Sequence, residues 1–250
     1  MELLADLAAW FADPANWSGR DAIPVRLSEH LLISGLAMAA ALAVALPTGL
    51  YIGHSGRFDL VAINLANMGR AVPSYALLVV FFGIFVMETR SAALFTNGPT
   101  VLAMIALAVP SIVTNAWVGL RAVDADLVEA ARGMGMRESQ VLRRVELPLA
   151  LPVILAGIRT ATVQVIATAA LGAVIGGGGL GRYIVQGLAR FDDARLLAGA
   201  VMVAALAIGA DVGLGWLERR AAARTGSAAD AEAGAATGRG PAGAERPAGV

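Results

Sequence analysis

Apolar positions along this chain come in long unbroken runs, not at every second position and not in a narrow helical stripe. Five runs, roughly 31–53, 61–87, 98–119, 148–175 and 195–217, each reach the length of about 20 residues that a helix needs to cross a bilayer core. A run of that length that is apolar on every side predicts a helix surrounded by lipid or by other helices. Arg70 and Pro73 interrupt the second run. A proline removes a backbone donor and clashes with the preceding turn, so this stretch predicts one kinked span or two short ones. The pattern as a whole specifies an all-α integral membrane protein, a bundle of five transmembrane helices, or six if the second run is split.

Composition agrees: 58% of the 250 residues are hydrophobic and 15% are charged, with a mean hydropathy of +0.70. The spans are rich in alanine and glycine, as in SGLAMAAALA and LAGAVMVAALAIGA, which lets helix backbones approach closely where lipid provides no hydrophobic drive between them. Formal net charge is zero, so no global field draws the chain to nucleic acid. Cysteine is absent, which removes disulfides, thiolate nucleophiles and cysteine metal sites. His30 and His54 are far apart, without metal-ligand spacing, and are expected at segment ends. With no Ser/His/Asp grouping or carboxylate pair, no catalytic residue and no metal site are expected.

Basic charge resides entirely in arginine. Arg57, then Arg121, Arg132, Arg137, Arg143 and Arg144, then Arg219, Arg220 and Arg224 fall on one side of a five-span topology. The positive-inside bias therefore places the 120–147 loop and the C-terminus in the cytoplasm. Residues 1–28 lack a basic start followed by an apolar run, so they are expected as an extracytoplasmic segment and not a cleaved signal. Residues 29–220 form the membrane domain. Residues 221–250, rich in Ala, Gly and Pro with no apolar face, are expected as a disordered cytoplasmic tail.

The polar loop is more elaborate than a spacer. Leu127, Ala130, Ala131 and Met134 recur at helical spacing, as do Val141, Leu142 and Val145, with Asp126, Glu129, Arg132, Arg137, Arg143 and Arg144 between them. Gly133-Met134-Gly135 permits a sharp turn. The expectation is a pair of short amphipathic helices, fitted either to a groove on a protein partner or to the lipid headgroups.

The spacing Glu129-Ala130-Ala131, three residues, Gly135, nine residues, Val145, one residue, Leu147-Pro148 resembles the EAA loop of ABC importer permeases, with Val145 in place of the usual isoleucine. The stretches AVPSYALL, PSIVTNAWVGLRAVDADLVEAARGMG and VELPLALPVILAGIRTATVQVIATAALGAVIGGGGLG are similar to the glycine betaine, carnitine and choline branch of that family. The resemblance covers about residues 28–217. It implies the MetI-like permease fold in a bacterial inner membrane, with cytoplasmic coupling helices in loop 120–148. Glu129, Ala130, Ala131, Gly133, Gly135, Leu147 and Pro148 would shape the contact with a cytoplasmic ABC ATPase. It also implies a second permease copy or paralogue, an extracytoplasmic substrate-binding protein, and a quaternary ammonium solute. The chain itself would bind no cofactor, ATP being used by the partner. The alternatives are an importer permease for another small solute, such as an amino acid or sulfonate, and an ATP-independent secondary transporter or channel.

Polar groups within spans default to functional candidates. Asn64, Asn67, Arg70, Asn115, Arg159, Gln164 and Asp211 are the set, and Tyr75, Asn115, Trp117 and Gln164 are candidate linings of a translocation pathway. Aromatic faces suit a methylated cation, which has no N–H to donate. Gly176 to Arg182, GGGGLGR, contains GxGxxG but follows a helix pattern and lacks the Lys-Ser/Thr ending of a phosphate loop. It reads as a flexible re-entrant turn near a solute entrance or as a tight connecting turn.

Overall fold

Pro24 stands in the first turn of the first long helix, where its missing N–H removes no helical bond, and the helix starts there, well before the apolar run. In the computed structural model, which describes residues 2–71, 73–88 and 92–236, this helix α2 covers Ile23–Ser55. Ahead of it, α1 (Glu2–Ala12) and a 3₁₀ turn (Pro14–Trp17) form an ordered cap. Trp10 and Phe11 bury apolar surface against Ile23, Leu180 and Tyr183, and the Trp10 and Tyr183 rings meet edge to face at 5.3 Å.

The second apolar run is two helices, α3 (Asp59–Ala71) and α4 (Ser74–Glu88), parted beside Pro73. Their ends decide the topology. Asp59 at the start of α3 accepts hydrogen bonds from Trp117 and Arg121 at the end of α5 (Ala92–Arg121), each at 2.8 Å. Phe85 near the end of α4 lies against Gly98 near the start of α5. Among the described residues the two helices therefore run in sequence along α5, as one broken crossing would and not as two. The Arg70 side chain falls outside the described residues.

After α5, α6 (Ala125–Gly133) lies in the polar loop. The expected second loop helix is not separate. A helical turn α7 (Glu138–Val141) and a π-helical turn (Leu142–Glu146) pass without a break into α8 (Leu147–Leu171). Helix α9 (Gly181–Arg190) is short, and α10 (Asp193–Ala236) forms the last span. At 1.5 Å per residue α10 is about 66 Å long, more than a bilayer needs. It continues helically to Ala236, past residue 221 where the tail was expected to begin, and 237–250 lie outside the described residues.

Among the described residues four stretches, 23–55, 97–121, 138–175 and 193–223, are long and apolar enough to cross a membrane, and Ser74–Phe85 is a shorter apolar helix. The core lies where α2, α5 and α8 meet, around Ala41, Ala45, Met104, Ala108, Ile112, Val113, Ala161 and Val165. Small residues set the spacing: a Cβ on Gly49 would lie 2.7 Å from that of Ala116. This is the packing by close backbone approach that the Ala/Gly composition implied.

Candidate functional site

We call the end bearing the 120–147 loop the inner end, following the arginine bias. There, α6 begins on Asp124, whose carboxylate accepts the Asp126 N–H at 2.9 Å, an N-cap that satisfies one of the four free donors of a helix start. It ends on Gly135, the one glycine of the Gly-Met-Gly turn with a left-handed backbone, φ +82°. The Gly135 N–H donates to the Arg132 carbonyl at 2.9 Å and the Met136 N–H to that of Ala131 at 3.2 Å, the paired bonds of a Schellman ending. Gly133, expected to share the sharp turn, is helical.

The two alanines of the motif face opposite ways. Ala131 is 2% exposed, whereas Leu127 and Met134 are 47% and 77% exposed, and Ala130 between them is also exposed. Leu127, Ala130 and Met134, at i, i+3 and i+7, thus form an outward apolar strip with no described partner in this chain. Glu129 and Arg132 turn the other way, onto a polar recess of about 220 Å³ beneath the ends of α2 and α5.

Leu147 packs with Ala116, Leu120, Ala150 and Ile154, while Pro148 is exposed. Without an N–H, Pro148 cannot bond back along the helix, and its ring crowds the turn before it. That is the place of the π-helical turn, where the Leu147 N–H reaches the Leu142 carbonyl, the local widening by which a helix admits such a ring.

A polar network joins these parts. Arg132 on α6 forms a two-bond fork with Glu138, both bonds at 3.0 Å, and the hydrogen bonds to Glu138 raise the arginine's pKa above its ordinary value. His54, at the end of α2, sets Nδ1 2.5 Å from buried Glu146 and Nε2 3.5 Å from Glu138. Sequence reading missed this network, since His54 and Glu146 are 92 residues apart. The one available signal was Glu146 itself, an acid between Val145 and Leu147 at the mouth of a membrane span.

The four candidate pathway residues lie on different faces. Tyr75 is half exposed on α4. Asn115 donates to the Ser111 carbonyl at 2.8 Å and packs on Gly157 of α8. Trp117 is turned to Asp59, and Gln164 is half-buried on α8. The structure does not gather them into one site. It does join Arg159 to Asp211: the guanidinium holds that carboxylate at 2.6 and 3.0 Å and reaches Glu218 at 3.2 Å, an exchange of charge that lowers the cost of ionised groups in a span.

At the outer end, the glycine segment is a tight turn and not a loose one. Gly176 and Gly179 have φ of +90° and +84°. Gly178 N–H donates to Asn97 at 3.3 Å, Gly179 N–H to Glu29 at 2.9 Å and Leu180 N–H to His30 Nδ1 at 3.3 Å. The buried His30 ring donates from Nε2 to the Ile166 carbonyl at 3.1 Å, which fixes its tautomer because Nδ1 is the acceptor. Nearby, Asp21 is held below the usual carboxylate range by its hydrogen bond to Arg26, and burial pushes the Tyr183 hydroxyl up.

Residues 45–223 match the family described as binding-protein-dependent transport system inner membrane component. The chain is 41% identical over 192 residues to the carnitine transport permease protein OpuCD of Listeria monocytogenes serotype 1/2a, covering 76% of this chain and 82% of that one. It is 33% identical over 220 residues to the choline transport system permease protein OpuBD of Bacillus subtilis, covering 88% and 92%. Among solved structures, an inward-facing MetNI methionine ABC transporter superposes with a TM-score of 0.70 at 21% identity, over 84% of this chain and 98% of that one.

Proposed function

This chain belongs to the family of binding-protein-dependent transport system inner membrane components and is a multi-pass ABC importer permease, and from that premise we propose that its solute is a quaternary ammonium osmolyte: glycine betaine, carnitine or choline. The relatives named for carnitine and choline, each aligned over more than three quarters of this chain, support the solute class. The observation that carries the coupling mechanism is the outward strip Leu127, Ala130 and Met134 on α6.

In this reading the strip seats in a cleft of a separate cytoplasmic ABC ATPase, which binds and hydrolyses the ATP. Ala130 is small enough for the helix to sit deep, and Arg137, Arg143 and Arg144 fix its register on the partner. Two such chains, or this chain and a paralogue, enclose the pathway. Closure of the ATPase pair draws the two α6 helices together, and because α6 is tied through Arg132, Glu138 and His54 to both α8 and α2, the spans turn with it. ATP favours one access state only as far as the contacts at α6 differ between the states. An extracytoplasmic binding protein delivers solute at the other end.

The test is uptake of labelled glycine betaine into proteoliposomes holding this chain, its ATPase and its binding protein, with choline and carnitine as competitors. ATP-dependent uptake, displaced by at least one competitor, is expected. ATP-dependent assembly with no uptake of the three would overturn the solute class. Flux indifferent to ATP would overturn the coupling.

A further inference from the structure

The outer end contains a cavity of about 220 Å³, lined by Arg26, Glu29, Leu32, Ile33, Asn97 and Arg182 together with Gly176 and Gly178 of the glycine turn. A water molecule's share of the liquid is about 30 Å³, so the space suits a solute of a few non-hydrogen atoms. Its charged groups are unequally satisfied. Arg26 is bound on both sides, by Glu29 at 2.7 Å and by Asp21. One oxygen of Glu29 takes both Arg26 and the Gly179 N–H. The Arg182 side chain forms no hydrogen bond or ion pair among the described residues, although its charge acts on Asp21; its Nε, like that of Arg26, is buried with no hydrogen-bond partner.

The Arg182 position is built. The glycine turn is pinned to α2 by Glu29 and His30 and to α5 by Asn97, and α9 starts directly after it at Gly181. A Cβ on Gly178 would come within 2.7 Å of the Glu29 carboxylate, so the turn is pressed onto that residue. The cavity thus has the Arg182 guanidinium in its lining, and with it the Glu29 carboxylate next to the apolar side chains of Leu32 and Ile33. That arrangement complements a zwitterion with a carboxylate at one end and a methylated ammonium at the other. The carboxylate takes a charge-assisted bond from Arg182. The ammonium, which cannot donate N–H bonds, needs only an apolar wall and a nearby negative charge.

We propose that Arg182 and the cavity beneath the glycine turn are an entry subsite that selects carboxylate-bearing quaternary amines, glycine betaine and carnitine, over choline. The proposal rests on the solute class given above and assigns the specificity to one residue. Choline has the ammonium but no carboxylate, so it gains nothing from Arg182.

The experiment is the reconstituted importer with R182Q and R182K, measuring KM and maximal uptake for labelled glycine betaine, carnitine and choline, with gel filtration in detergent as the folding check. R182Q is expected to raise KM for glycine betaine and carnitine about tenfold or more, the scale of a lost charge-assisted bond, and to change choline less than about twofold. R182K, which keeps a point charge but not the fork, is expected to fall between. If R182Q fails to assemble, the glycine betaine to choline ratio of R182K alone carries the test, and an unchanged ratio overturns the proposal. Equal loss for choline would assign Arg182 to folding or to protein docking and overturn it too, as would no change for any solute. Wild-type importer that takes up none of the three overturns the solute class itself, an outcome read without any variant.

Discussion

Gly135→Ala isolates the contribution of the α6 ending to coupling. Gly135 has φ +82° and nothing within 4 Å of where a Cβ would stand, so the substitution meets no neighbour and acts only through the backbone. Holding an alanine in the left-handed region costs about 1–2 kcal/mol. The Schellman bonds that close α6 then open in a larger share of molecules, and 1–2 kcal/mol is roughly a factor of 5–30 in that population. Gly135→Asn should cost less, because asparagine visits this region more readily. Gly133→Ala should be neutral or stabilising by about 0.5–1 kcal/mol, since Gly133 is helical and also open to solvent. The assay is affinity for the ATPase in detergent together with ATP-dependent uptake, with membrane insertion measured separately. The expected order of affinity is Gly133→Ala at or above wild type, then Gly135→Asn, then Gly135→Ala. Equal damage from Gly133→Ala and Gly135→Ala would refute the reasoning, because it would make side-chain volume and not backbone conformation the determinant.

Ala130→Glu, on the outward strip, should abolish ATPase binding with little change in thermal stability, whereas Ala131→Leu, at a position 2% exposed, should lower stability by about 1–3 kcal/mol from overpacking; melting and pull-down together separate the two. Arg159→Ala leaves Asp211 and Glu218 unpaired within a span, so it should lower the melting temperature, and adding Asp211→Asn should recover part of that loss; a double variant no better than the single would exclude the ion pair as the cause. Asp21 has a folded pKa below its ordinary value, so its contribution is complete above about pH 4 and lost as pH falls through the lowered value. A melting profile over acid pH should therefore show a decline that Asp21→Asn flattens. Gly157→Val should disrupt the α5 and α8 crossing, where a Cβ would collide with Asn115, and thermal stability of the purified chain measures it.

Spans were legible because lipid tolerates no backbone polar group left unpaired, and that demand writes long apolar runs into any sequence. The same rule made Pro73 readable as a break, but whether the break divides one crossing or separates two depended on Asp59 and Phe85 finding opposite ends of α5. Nothing local to 61–87 contains that information. The motif spacing placed α6 and its closing glycine, yet it did not say that 138–146 would continue into α8, because Pro148 looks like a stop until the π-helical turn accommodates it. His54, Glu146, Arg159 and Asp211 were visible as polar residues beside or within apolar runs. Their pairing joins residues 52 and 92 positions apart, a separation at which a single sequence has no register to read. The glycine turn was left open between loose and tight for the same reason: its partners Glu29, His30 and Asn97 lie on two other helices.

The tie between the loop and the spans determines which parts of the permease can move together. An α6 held only by its chain ends would swing when a partner pulled on it, and the spans would not respond. Here the pull enters α8 through an unbroken helix from Glu138 to Leu171, and it enters α2 through His54 between two carboxylates. Helices α2, α5 and α8 are locked to one another by contacts as close as Gly49 on Ala116, and a close-packed core transmits such a displacement with little compliance. Helices α2 and α5 anchor the glycine turn at the far end, through Glu29 and His30 on α2 and Asn97 on α5, and the Ile166 carbonyl on α8 holds the His30 ring in turn. In the proposed mechanism, a movement started at α6 would reach the Arg182 cavity through these packed helices.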